Sequence, residues 1–124
     1  MEISGLWKIR AVCVFGKDLS QKWMTAEEIE ADASVNMMQK VMAKIVYDFR
    51  EDGTVLALMP KEYDADNEFG EYDDKYGVSH SFKWKEENGR LMIAAEENGE
   101  DDWSEMEPVE GGYEVFSYQR ITRV

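Results

Sequence analysis

Four tight-turn pairs punctuate this chain: Asp52-Gly53, Asn88-Gly89, Asn98-Gly99 and Gly111-Gly112. Each supplies the positive φ that a short hairpin needs, and Asn-Gly is the strongest short-range hairpin signal. The segments between them alternate apolar and polar residues or run apolar, as strands do. Sequential hairpins make an antiparallel meander. A meander with apolar faces on nearly every strand must close on itself or stack in two layers.

The strands can be placed by their periodicity. Over residues 3–15, Trp7, Ile9, Ala11 and Cys13 share one face and Lys8 and Arg10 the other. Cys13 therefore reads as buried and inert. Residues 15–22, with Gly16 and Asp18, read as a turn region. Thr25-Ala26-Glu27-Glu28 has the spacing of a capping box, and Ile29, Ala33 and Met37 follow at four-residue steps. This predicts one helix over residues 25–38. From Val41 the period returns to two, with Val41, Ala43, Ile45, Tyr47 and Phe49 on one face. An apolar strand over 54–59 stops at Pro60. The acidic segment 61–77 reads as a long connection with room for a short edge strand. His80, Phe82 and Trp84 alternate with Ser81, Lys83 and Lys85. Return strands follow over 90–96 and 103–109, and residues 113–124 read as the last strand.

The expected fold is all-β: an antiparallel meander closed into a barrel of about eight strands, with one helical insertion between strands one and two. The alternative is an α+β domain whose helix crosses an open, curved sheet. Pairing of the first strand with the last discriminates, because only the closed barrel requires it. The 124 residues make a single domain, 1–124, large enough for one core.

Composition narrows the function classes. Lys and Arg total 14 against 27 Asp and Glu, a net charge of -13. That field disfavours nucleic acid and anionic membranes as partners. Acids concentrate at 62–74, with seven, and at 96–110, with eight, and neither stretch contains a base. Both read as solvated rims. One Cys and one His leave no thiolate zinc cage and no two-His metal site. A calcium loop starting at Asp64 would need Gly at its sixth position and Glu at its twelfth, but Phe69 and Lys75 stand there. No metal or cofactor is expected. No phosphate-cradling loop or catalytic triad spacing is present. The first residues lack a signal-peptide core and no run is long enough to span a bilayer, so the expected location is cytoplasmic. The charge disfavours loose self-association but leaves room for a dimer through an edge strand or the helix, so a monomer or a homodimer is expected.

Gly5-Leu6-Trp7 resembles the Gly-x-Trp that opens the first strand of lipocalins, and Arg120-Ile121-Thr122-Arg123-Val124 resembles the Arg-bearing last strand of the calycin superfamily. Residues 48–56, Asp-Phe-x-Glu-Asp-Gly-Thr-Val-Leu, are similar to small bacterial lipocalin-like proteins of no assigned function. Fatty-acid-binding proteins likewise place helices between their first two strands. The resemblance implies a barrel whose end is closed by Trp7 with an Arg across it, either Arg120 or Arg123. It also implies a small hydrophobic ligand inside. The disulfide Cys of secreted lipocalins are absent. Thr122 stands where the Arg-x-Tyr headgroup motif of fatty-acid-binding proteins has Tyr.

Candidate cavity-lining residues are Tyr47, Phe49, His80, Phe82, Trp84 and Tyr113. The same side chains would also serve as ordinary core. What the resemblance implies favours a non-enzymatic binding module for a small apolar molecule. One alternative is a filled barrel that binds a basic partner through its acidic surface. Another is an enzyme built on His80 and nearby carboxylates.

Overall fold

The computed structural model describes residues 3–15, 21–64 and 68–124. The expected turn region 15–22 and the centre of the acidic connection fall largely outside them. The strands are β1 (Gly5–Phe15), β2 (Gln21–Thr25), β3 (Val46–Phe49), β4 (Thr54–Pro60), β5 (Gly70–Glu71), β6 (Tyr76–Glu87), β7 (Arg90–Glu97), β8 (Glu100–Glu105), β9 (Glu107–Val109), β10 (Gly112–Val115) and β11 (Gln119–Arg123). Two short helices, α1 (Ala26–Ala31) and α2 (Met37–Met42), lie between β2 and β3.

The protein is an all-β, nearly closed antiparallel barrel. Its strand order is β8-β7-β6-β4-β3-β1-β11-β10-β9. First and last strands pair, with Trp7 opposite Arg123 and Ile9 opposite Ile121. That pairing decides against the open-sheet alternative. At the other seam, β8 and β9 are separated by Met106 alone. β8 pairs with β7 while β9 pairs with β10, so one continuous segment joins both ends of the sheet. Met106 is 1% exposed and its backbone N–H donates to the Leu91 carbonyl at 2.8 Å. A closed sheet has few edges left to aggregate.

The helical insertion differs from the expected single helix over 25–38. Its start is as the capping box requires: Thr25 Oγ1 accepts from the Glu28 N–H at 3.1 Å, and Glu28 Oε1 accepts from the Thr25 N–H at 3.0 Å. The helix ends at Ala31 because polar side chains compete for the backbone. Asp32 Oδ1 accepts from the Ser34 N–H at 2.8 Å, and Asn36 Oδ1 caps α2 by accepting from the Gln39 N–H at 2.8 Å. Only Ile29 of α1 is buried, and Ala33 and Met37 are exposed. α2 takes up Val41, so the strand expected from Val41 begins at Val46 instead.

Two further irregularities change which side chains face inward. The β1–β11 register shifts between Ile9 and Ala11. Beyond that bulge Val12 and Val14 are buried and Cys13 turns to the half-exposed side, contrary to its expected burial. The expected last strand 113–124 is a hairpin. Val115 pairs with Gln119 across the turn Phe116-Ser117-Tyr118. Phe116 and Ser117 hold φ of +54° and +67°, a region that non-glycine residues rarely adopt. Among the described residues no helix is long and apolar enough to cross a membrane.

Candidate functional site

The barrel interior divides into a filled end and an open end. At the filled end Trp7 is 6% exposed. Its ring meets Tyr113 at 5.5 Å and Phe49 at 6.4 Å between centroids, both edge-on. Phe49 in turn meets Trp84 at 6.3 Å. The Arg123 guanidinium lies over Trp7, 4.5 Å from the ring centroid, and donates to the Ser4 carbonyl at 2.6 Å. Gly5 makes room for it: a Cβ there would stand 2.8 Å from Arg123 Nη1. Arg120, the other residue read as a closure candidate, lies instead over Trp23 at 4.0 Å and pairs with Glu114 at 3.2 Å. The two arginines separate because residues three apart in a strand face opposite ways.

The open end holds a cavity of about 550 Å³. That falls within the usual range for small-molecule pockets. β3 contributes Tyr47, β4 contributes Ala57 and Met59, and β6 contributes Ser79, His80 and Phe82. The β10–β11 turn adds Phe116 and Tyr118, β11 adds Gln119, and α2 adds Met42 at the rim. The wall is predominantly apolar, and its Phe82 and Phe116 rings sit 5.4 Å apart.

Of the six residues read from the sequence as lining, Tyr47, His80 and Phe82 face this cavity. Phe49, Trp84 and Tyr113 do not: Phe49 and Tyr113 pack against Trp7 at the filled end, and Trp84 packs against Phe49. His80 is exposed at the rim and its ring stacks on Phe82, with centroids 6.3 Å apart and 15° between planes. Sequence reasoning missed Gln119 and Phe116. Both sit beside a turn that carries neither Gly nor Asn, so the hairpin that turns them inward left no signal.

The polar feature of the cavity is a buried pair. Gln119 is 1% exposed, and its Oε1 accepts from the Tyr47 hydroxyl at 2.6 Å. Burial drives the Tyr47 phenol well above its ordinary value of 10, and the nearby Tyr118 adds to the rise. The sign follows from linkage. Below pH 10 both folded and unfolded chains hold this proton, and no stability is lost. Above pH 10 the unfolded phenol ionises first, so stability falls by about 1.4 kcal/mol per pH unit until the folded phenol also titrates. Denaturant titrations between pH 9 and 11.5 are expected to show this decline. Tyr47→Phe should flatten it, and an unchanged slope would show that other groups carry it.

A second depression, about 630 Å³, lies outside the barrel. Lys8, Lys44, Lys61 and Lys75 stand there among Glu27, Glu62 and Asp74, so charges of both signs are interspersed rather than gathered into one strong field. Asp64 of the acidic connection is engaged in shaping its own loop, accepting from the N–H groups of Glu68 at 2.7 Å and Phe69 at 3.1 Å. Among the described residues no group of three or more His, Cys, Asp or Glu is gathered to hold a metal ion. No family model, no curated protein and no solved structure matches this chain.

Proposed function

We propose that this protein is a lipocalin-like binding module of the calycin type that holds a small apolar molecule in the open end of its barrel. The observation that carries this reading is the asymmetry of the interior. One end is filled by aromatic rings and capped by Arg123, while the other keeps about 550 Å³ lined mainly by apolar side chains. A barrel that only needed a core would pack both ends to the density of protein interiors. Gly5-Leu6-Trp7 and Arg123, in contact at the closed end, support the lipocalin-like reading. The proposed role is binding without catalysis.

Nile red, a neutral apolar dye that brightens when it leaves water, tests this. The protein is expected to take up one dye per chain, saturably. Ala95, half-buried in the cavity wall, offers a control. Ala95→Trp is expected to fill the space and weaken uptake more than tenfold, since a buried ligand of this size derives most of its affinity from the apolar area it covers. The thermal midpoint should stay within a few degrees of the parent. Absence of saturable uptake by the parent protein overturns the proposal. Native mass spectrometry of freshly purified protein would add the mass of any ligand carried through purification.

A further inference from the structure

The Gln119 carboxamide has a bonded end and a free end. Its oxygen is occupied by the Tyr47 hydroxyl at 2.6 Å. Its Nε2 carries two N–H donors with no partner among the described residues, on a side chain 1% exposed. The nitrogen is not sealed inside packed atoms, because every fully enclosed side-chain N or O among the described residues has a partner. Gln119 lines the open cavity, so that is where its donors lead.

Water in the open cavity can bond these donors, but a ligand that displaces it without accepting in its place leaves them unpaired, at about 1–3 kcal/mol. A chain that needed only an apolar wall could place Leu or Met here together with Phe at position 47. Tyr47 instead fixes the amide by donating to its oxygen, leaving the nitrogen as the donor presented to the cavity. The arrangement asks for a hydrogen-bond acceptor from outside the chain.

The charge of that acceptor can also be read. Among the described residues, thirteen line the cavity and none of them is Lys or Arg. The protein as a whole carries -13. A carboxylate brought to Gln119 would lose its water without gaining a cation, which is far costlier than burying a neutral carbonyl.

Resting on the carrier reading above, we infer that the cavity takes a neutral molecule with an apolar body and one carbonyl-type acceptor, seated so that this acceptor receives the Gln119 Nε2 hydrogen bond. Fatty acids and other apolar anions are thereby disfavoured. Phe82 and Phe116 face the same space and flank the apolar body.

Three matched compounds test the inference by displacement of Nile red at pH 8: 2-acetylnaphthalene, 2-ethylnaphthalene and 2-naphthoate. They share one aromatic body and differ in carrying a neutral acceptor, no acceptor or an anion. The ketone is expected to bind about five- to tenfold tighter than the ethyl compound, the worth of one satisfied buried hydrogen bond. The naphthoate is expected to bind most weakly. In Tyr47→Phe/Gln119→Met, which removes both polar partners together and keeps the volume, the ketone's advantage should vanish while the ethyl compound binds as well or better. The paired change avoids leaving the Tyr47 hydroxyl stranded, and a melting curve confirms that the variant folds. Should that variant fail to fold, Gln119→Glu replaces the donor with an acceptor and must reverse the ketone's preference. Equal binding of ketone and ethyl compound to the parent protein overturns this inference and leaves the carrier reading standing. Tightest binding of the naphthoate overturns the neutral-ligand assignment. Failure of all three and of Nile red overturns the carrier reading and this inference with it.

Discussion

Trp7→Ala is expected to lower the unfolding free energy by about 3–5 kcal/mol, the range for deleting a buried aromatic side chain. Trp7 is 6% exposed and is the centre on which Phe49, Tyr113 and Arg123 converge. Its indole N–H also donates to the Ile3 carbonyl at 2.8 Å, which anchors the segment before β1. The buried rings of Phe49 and Tyr113 cannot collapse fully into the space an indole leaves, so the loss should fall toward the upper part of that range. Arg123→Lys supplies the contrast. Arg123 is exposed, and an exposed cation over an aromatic ring contributes only about 0.5–1 kcal/mol. Urea titrations followed by circular dichroism measure both. The folded fraction of Trp7→Ala should still take up Nile red, because Trp7 does not line the open cavity. A loss under about 1 kcal/mol would mean that the filled end is not held by packing around this ring.

That separation between a stability end and a binding end could not be read from the sequence. Periodicity places Tyr47 and Phe49 on one face of β3, and both are buried there. It cannot say that Phe49 falls among the rings at the closed end while Tyr47, two residues earlier, faces the cavity. The distinction depends on where along the barrel each strand sits, and strand pairing between distant segments sets that.

The turns made with Gly or Asn were legible because their chemistry is local. Asn88 and Asn98 hold φ of 53° and 54°, each followed by a glycine at positive φ. The Thr25 capping box was legible for the same reason. The Phe116-Ser117 turn was not, since its residues contradict local preference and are held by the hairpin on either side and by contact with Phe82. With it went Gln119, which a regular strand over 113–124 gives no reason to single out. The seam at Met106 was hidden too. A residue that hands a strand from one neighbour to another looks like any apolar strand residue.

Gly112→Ala is expected to cost about 3 kcal/mol and to take ligand uptake with it, at the severe end of what overpacking does. Gly112 opens β10, pairing with Val109, and a Cβ there would run into the Ile121 carbonyl of the neighbouring strand. That obstacle is backbone, so no side chain can swing aside. Relief requires β10 and β11 to separate within their own hairpin. The same hairpin carries Tyr113 and Arg123 at the filled end and Phe116 and Gln119 at the cavity. One added methyl group should therefore disturb both ends, whereas Trp7→Ala disturbs one. Gly99→Ala is the comparison: that turn glycine also holds positive φ, 83°, but a Cβ there meets nothing within 4 Å. Only the conformational cost remains, about 1–2 kcal/mol, with Nile red uptake unchanged. Equal losses at the two glycines would show that the Gly112 contact yields without moving the hairpin. A larger loss at Gly112, accompanied by failed uptake, would tie the position of the cavity donors to the packing of a single glycine against Ile121.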